Sequence, residues 1–259
     1  MEAGIGLTMM SLLFAAALLA GFVDTIAGGG GLITLPMLLL AQLPPVQALA
    51  TNKLQGSFGT LTSSWSMLRR GLVRWNGVRG MFAASLLGAA AGTLAVQRVH
   101  PQALNIAIPI VLGVVGLYFL FSPRAGEREG QPRMGQRLYA GLVVPAIGFY
   151  DGFFGPGTGS FFSLGGVALR GQPLVTATAH TKMLNFASNI ASLAVFVIGG
   201  KVLWVVGSVM VVGQMIGAWL GAHAVVRGGA RLIRPLIVVM CALMLLRYAW
   251  ERGLLSGLA

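Results

Sequence analysis

Long apolar runs, broken at a few places by clustered polar residues, set the plan of this chain. Runs of membrane-crossing length lie at about 5–26, 45–68, 77–97, 102–121, 138–155, 173–199, 203–226 and 232–250, and two shorter ones lie at 31–41 and 159–169. A helix rises 1.5 Å per residue, so about 20 apolar residues cover the hydrocarbon core of a bilayer. An unpaired peptide group in hydrocarbon costs several kcal/mol, so the runs are predicted to be helices. The short alternating strands of a transmembrane barrel are absent. The expected fold is an all-α integral membrane protein, a polytopic helical bundle.

The polar interruptions occur twice in the same order. FVDTIAGGGG (22–31) corresponds to FYDGFFGPGT (149–158), which sets Asp24 and Asp151 127 positions apart. Further on, ATNKL (50–54) lies over AHTKM (179–183), GLVRW (71–75) over GKVLW (200–204), and Gly88 and Gly92 over Gly217 and Gly221, all at an offset of 129. A constant offset with one two-residue slip indicates an internal duplication. Two of the three lysines, Lys53 and Lys182, are therefore equivalent. Glycines spaced by four also allow helices to approach closely.

The basic residues suggest how the copies are oriented. Arg69, Arg70, Arg74 and Arg79 mark one short loop, and Arg124, Arg128, Arg133 and Arg137 mark the stretch 122–137. By the positive-inside rule both face the cytoplasm. In the second copy the bias reverses: the loop at 199–202 carries only Lys201, and the next carries Arg227, Arg231 and Arg234. Copies of opposite orientation are the inverted-repeat plan of secondary transporters. This plan predicts a first transmembrane repeat at 1–121, a cytoplasmic linker at 122–137 and a second repeat at 138–259. Counting each short run as a crossing gives five per copy and puts both termini outside. The first segment has no basic residue ahead of it and is expected to be retained.

The candidate chemistry lies where the apolar pattern fails. Glycine weakens a helix by about 1 kcal/mol and proline by about 3, so GGGG (28–31) and GPGTG (155–159) predict broken helices. The restarted helix offers backbone N–H groups and its dipole to an anion, here through Gly29, Gly30, Gly157 and Thr158. A lysine inside a membrane helix is costly and is expected to face a polar cavity. Lys53 has Thr51, Asn52 and Gln55 beside it; Lys182 has Thr181, Asn185 and Asn189, and steps of three, four and seven place Lys182, Asn185 and Asn189 on one helix face. Lysine supplies a point charge and three donors, which suit a tetrahedral oxyanion. Two alternatives stand beside this reading. Asp24 and Asp151 could relay protons, or each could be the counter-ion of the lysine in its own copy, or cap the broken helix end.

Composition narrows the classes further. With 56% apolar and 9% charged residues and a mean hydropathy of +0.82, the chain lies far from soluble domains. The net charge of +12 gathers at helix ends, which fits membrane topology and gives no sign of nucleic-acid binding. The single cysteine, Cys241, can form neither an internal disulfide nor a metal cluster, and no metal or cofactor motif is found. Neither glycine cluster continues into a phosphate-loop lysine and serine, and no nucleophile has a consistent His/Asp arrangement, so an enzyme is not expected.

The segments that carry the symmetry also resemble a known family. GFVDTIAGGGGLITLPML followed by ALATNKLQGSFGTLTSS, and GFYDGFFGPGTGSFF followed by ATAHTKMLNFASNIASLAVF, are similar to the sulfite exporter TauE/SafE family of membrane permeases. The resemblance covers nearly the whole chain. It implies a multi-pass transporter of the bacterial inner membrane that handles sulfur-containing anions such as sulfite or organosulfonates. The family's glycine-rich motifs fall on Asp24 to Gly31 and Asp151 to Gly159, and its polar helix motifs on Thr51 to Gln55 and Thr181 to Asn189. The expected function is transport of a small anion by alternating access at a midplane site. The alternatives are a proton-coupled carrier of another small solute, or a membrane scaffold that transports nothing.

Overall fold

The computed structural model describes residues 5–104, 106, 107, 110 and 131–226. Among these residues the fold is all-helical, with no strand. The run at 232–250, most of that at 102–121, and Cys241 lie outside them, as does most of the linker. Four helices run in the first copy: α1 (Leu7–Ala27), α2 (Gly31–Leu40), α3 (Pro45–Arg69) and α4 (Trp75–Val96). The second copy repeats the set. Gln136–Leu138 and a π-helical turn at Tyr139–Val143 lead into α5 (Val144–Phe153), followed by α6 (Thr158–Arg170), α7 (Leu174–Ile198) and α8 (Trp204–Val226). The wide turn lies just ahead of Pro145, whose ring displaces the carbonyl four residues back.

Helices α1, α4, α7 and α8 are long and apolar enough to cross a membrane. Helix α3 equals α7 in length at 25 residues, but its polar side chains turn inward and lower its hydropathy. Helices α2 and α6 have 10 and 13 residues, hence about 15 and 20 Å, and are too short for a core of about 30 Å. Counting each short run as a full crossing is corrected accordingly.

Two apolar clusters mark the ends of the bundle. The first gathers Leu13 of α1, Leu35 and Leu38 of α2, Ala48 and Leu49 of α3, Val96 of α4, Phe196 of α7 and Val206 of α8. The second gathers Met67, Val73, Val78, Tyr139, Phe162, Ala179 and Met183. Helix α3 therefore runs from the first cluster to the second, and α7 from the second to the first. Helix α1 starts in the first cluster and α2 returns to it, so the pair forms a hairpin about Gly28–Gly30. The second cluster lies at the end that carries Arg69, Arg70, Arg74, Arg133 and Arg137.

The two copies interlock. Helix α1 packs against α8, and its counterpart α5 packs against α4; α3 meets α8 as α4 meets α7. The principal contacts correspond when the copies are exchanged. Glycine makes these approaches available. A Cβ on Gly217 would run into the Leu18 carbonyl and one on Gly221 into that of Phe22, while Gly88 and Gly92 face Pro145 and Phe149 in the same way. Two hydroxyls tie α4 across: Ser85 donates to the Leu184 carbonyl at 2.8 Å, and Thr93 donates to that of Gly152 at 3.0 Å.

Candidate functional site

The two glycine interruptions cross each other at the centre of the bundle. Helix α1 stops at Ala27, Gly28 takes a left-handed conformation (φ 77°), and α2 starts at Gly31. In the second copy Gly157 is left-handed (φ 78°) as the N-cap of α6. The backbones of Gly28 and Gly159 touch so closely that a Cβ on either would collide with the other. The Ser160 hydroxyl fastens this crossing by donating to the Ala27 carbonyl.

Around the crossing the four intramembrane charges form two ion pairs, each running between the copies. Lys53 Nζ lies 2.7 Å from Asp151 Oδ1, with the two side chains 1% and 2% exposed. Lys182 Nζ lies 3.3 Å from Asp24 Oδ2. The sequence-based alternative in which each lysine pairs with the aspartate of its own copy is thus corrected. Interlocking brings α3 of one copy against α7 of the other, and the ends of α1 and α5 reach the opposite lysine. Each ammonium has a second acceptor: Lys53 donates to Asn189 Oδ1 at 3.1 Å, and Lys182 donates to the Asp24 carbonyl. An ammonium has three N–H donors, so each lysine keeps one in reserve.

The polar residues near the lysines divide into those at the crossing and those turned elsewhere. Asn52 Oδ1 accepts from Thr34 at 2.5 Å and from Gln55 Nε2 at 2.8 Å, which fixes α2 to α3. Asn189 Nδ2 reaches Asn185 Oδ1 at 3.4 Å. A small cavity of about 30 Å³ is lined by Asn52, Lys53, Gln55, Asn185 and Asn189 together with Asp24, Asp151 and Gly30. Thr51 faces away and accepts from the Leu203 N–H at 3.3 Å, at the entry to α8. Thr181 accepts from the Ser163 hydroxyl at 3.0 Å, Thr158 donates to the Gly155 carbonyl at 2.7 Å, and neither they nor Gly29 nor Gly157 line the cavity; Lys182 does not line it either and adjoins it through Asp24. Gly30 N–H is already taken by Asp24 Oδ1 at 3.3 Å, so this carboxylate caps α2 as well as holding Lys182.

One lining residue carried little sequence signal. Gln214 comes from α8, where it interrupts an apolar helix and its repeat counterpart is Ser85. Gly28, Gly31, Gly155 and Gly159 line the cavity through backbone. Three buried acceptors there have no hydrogen-bond partner: Asp151 Oδ2, Gln55 Oε1 and Gln214 Oε1. A water fills roughly 10–15 Å³ of such space, so two or three waters fit and would supply the missing donors. A tetrahedral oxyanion fits only if the surrounding helices separate. Among the described residues, no group of His, Cys, Asp and Glu is arranged to hold a metal ion.

No solved structure matches the chain. It is 44% identical over 249 residues to a probable membrane transporter protein of Haemophilus influenzae, covering 96% of this chain and 98% of that one. It is 45% identical over 236 residues to the probable membrane transporter protein YfcA of Escherichia coli strain K12, covering 91% and 88%. A probable membrane transporter protein, ORF9, of Sinorhizobium is 44% identical over 239 residues, with 92% of each chain covered. The model of the family Sulfite exporter TauE/SafE matches residues 13–248. The chain is therefore a multi-pass membrane transporter that belongs to the TauE/SafE family.

Proposed function

We propose that this transporter is a permease of the bacterial inner membrane for a small anion, a sulfur-containing oxyanion or an organosulfonate, which it moves without altering it. The carrying observation is the pair of lysines, each fully buried at the crossing of the two glycine interruptions and each with one N–H donor to spare. An anion entering the cavity would meet the Lys53 ammonium and the amides of Asn52, Asn185 and Asn189, and would reach the Lys182 ammonium by displacing Asp24. It would do so only after the ion pairs loosen, because the four charges sum to zero. The cavity of about 30 Å³ is then a contracted stage of an alternating-access cycle. Opposite directions of α3 and α7, together with the interchangeable contacts of the copies, support two inverted repeats that rock about this site. The arginine-rich end is the cytoplasmic one on this reading.

Thermal unfolding of the purified protein tests the proposal against sulfite, sulfate, thiosulfate, taurine, sulfoacetate and phosphate. A ligand that binds the folded state raises stability by RT ln(1 + [L]/Kd), about 2.7 kcal/mol at a hundredfold excess over Kd. A sulfur anion should raise Tm in the native protein and in neither Lys53→Met nor Lys182→Met. A shift that survives both substitutions would remove the lysine site.

One observation favours coupling to protons as an accompanying role. Asp151 Oδ2 is buried and unpartnered, while Oδ1 holds Lys53, so a proton has an acceptor at that position. If Asp151 carries the proton, Asp151→Asn uncouples flux from the pH gradient and leaves exchange of labelled substrate intact. Loss of both would make Asp151 an anchor alone.

A further inference from the structure

We propose that a second anion-binding station, centred on Arg170, lies at the arginine-rich end and receives the same class of small oxyanion or sulfonate before it reaches the lysines. A vestibule of about 210 Å³ opens there between the start of α4, the stretch from Gln136 to Tyr139, the end of α6 and the first turns of α7. It is seven times the volume of the central cavity, enough for an anion of several heavy atoms with part of its hydration shell. Its polar lining consists of Arg170, Gln172, His180, Thr181, Gln136 and Tyr139. These groups supply guanidinium, amide, hydroxyl and imidazole donors, and among the described residues no carboxylate lines the space. Because the ligand is taken to be the transported anion, the assignment rests on the proposed function, but it does not depend on the lysine pair.

Three observations bear on Arg170. Its Nη1 donates to the Met134 carbonyl, which leaves four of the guanidinium's five N–H donors for other partners. The two carboxylates among the described residues, Asp24 and Asp151, are both held by lysines, so neither neutralises Arg170. The corresponding place in the first copy has no such charge. At the offset of 129, Ala41, Leu43 and Thr51 stand where the second copy has Arg170, Gln172 and His180. Leu43 is buried in the first apolar cluster, and the Thr51 hydroxyl is spent on the Leu203 N–H. A cation and a polar chamber have thus been added at one end of an otherwise duplicated scaffold.

The vestibule also adjoins the central site. Thr181 lines it and directly precedes Lys182, whose ammonium holds Asp24 at the crossing. Arg170 ends α6, about 18 Å along the helix from Thr158 at the crossing, so an anion there would wait at the outer end of the path to the lysine pair. It would enter when α6 and α7 separate at the Ser163–Thr181 hydrogen bond.

The test uses full-length protein with Cys241→Ser and a single reporter, Gln136→Cys, at the exposed rim of the vestibule. Membranes presenting the arginine-rich face are labelled with two methanethiosulfonates, one bearing a sulfonate and one a trimethylammonium. Arg170 should favour the sulfonate reagent, and Arg170→Gln should lower the anionic-to-cationic rate ratio by about tenfold, as for loss of one unit charge about 6 Å away in a water-filled space, felt with opposite sign by the two reagents. Arg170→Lys should keep the ratio near its original value. Ethanesulfonate should slow labelling when Arg170 is present. An unchanged ratio in Arg170→Gln, an equal fall in Arg170→Lys, or no protection by ethanesulfonate would each overturn the station. If Arg170→Gln does not fold, protection by ethanesulfonate in the Arg170 protein decides alone. Lys182→Met separates the two proposals: it should stop flux yet leave the labelling preference. Lysine-dependent flux with no such preference would overturn the vestibule only.

Discussion

Removing one partner of the Lys53–Asp151 pair should cost far more than removing both. At 2.7 Å, two unit charges attract by about 6 kcal/mol at an effective dielectric of about 20. Desolvation offsets much of that, because the side chains are only 1% and 2% exposed. Lys53→Met leaves a buried carboxylate without its cation, and Asp151→Asn leaves a buried ammonium; loss of one partner costs about 3–5 kcal/mol. The double substitution leaves neither, and its cost should lie well below the sum, with a coupling energy of about 3 kcal/mol. The assay is unfolding of the four proteins in mixed detergent micelles, with folded yield after extraction as a second reading. A matched cycle with Lys53→Met and Asp24→Asn should be closer to additive, because Asp24 belongs to the other pair. Stronger coupling of Lys53 to Asp24 than to Asp151 would refute pairing between the copies.

Single cysteines at Asn76 and Lys201, each introduced on a Cys241→Ser background, should react with an impermeant maleimide from opposite sides of the membrane; labelling from one side would contradict the opposed orientation of the copies. Gly217→Ala and Gly88→Ala should each destabilise by about 1–3 kcal/mol, seen as a fall in Tm, because the new methyl group meets a carbonyl of the facing helix. Gly77→Ala meets nothing within 4 Å and should be neutral or stabilising by up to about 1 kcal/mol. Asp24→Asn should lower folded yield and substrate exchange together, since Asp24 holds Lys182 and caps α2 through Gly30; retained exchange with lost pH dependence would make Asp24 a proton carrier instead.

The duplication in the sequence is enough to pick out the four charges, because polar residues inside apolar helices are costly and these recur at one spacing. It also marks Gly28–Gly30 and Gly155–Gly157, the stretches where α1 and α5 end and α2 and α6 begin, and where Gly28, Gly155 and Gly157 have positive φ. Which aspartate meets which lysine is a different kind of fact. It depends on α1 packing along α8 and α5 along α4, and spacing along a single copy holds no information about that interlocking. Helix periodicity places Lys53 beside Asn52, Gln55 and Gly56, yet Thr51, one residue earlier and 100° around the helix, turns to α8. Gln214 carries no such signal, being a single uncharged polar residue whose repeat counterpart is Ser85. The half-length of α2 follows from its ten residues once the start of α3 is known to lie in the same apolar cluster as the start of α1.

Flux of radiolabelled sulfur anions into proteoliposomes, compared among the native protein, Lys53→Met and Lys182→Met at matched reconstituted amounts, tests the lysine site most directly. The native protein should take up at least one of sulfite, sulfate, thiosulfate, taurine or sulfoacetate above empty liposomes, and the folded fraction of each lysine variant, compared at equal amount, should show flux at that background. Native-like flux through both variants would contradict an anion path between Lys53 and Lys182.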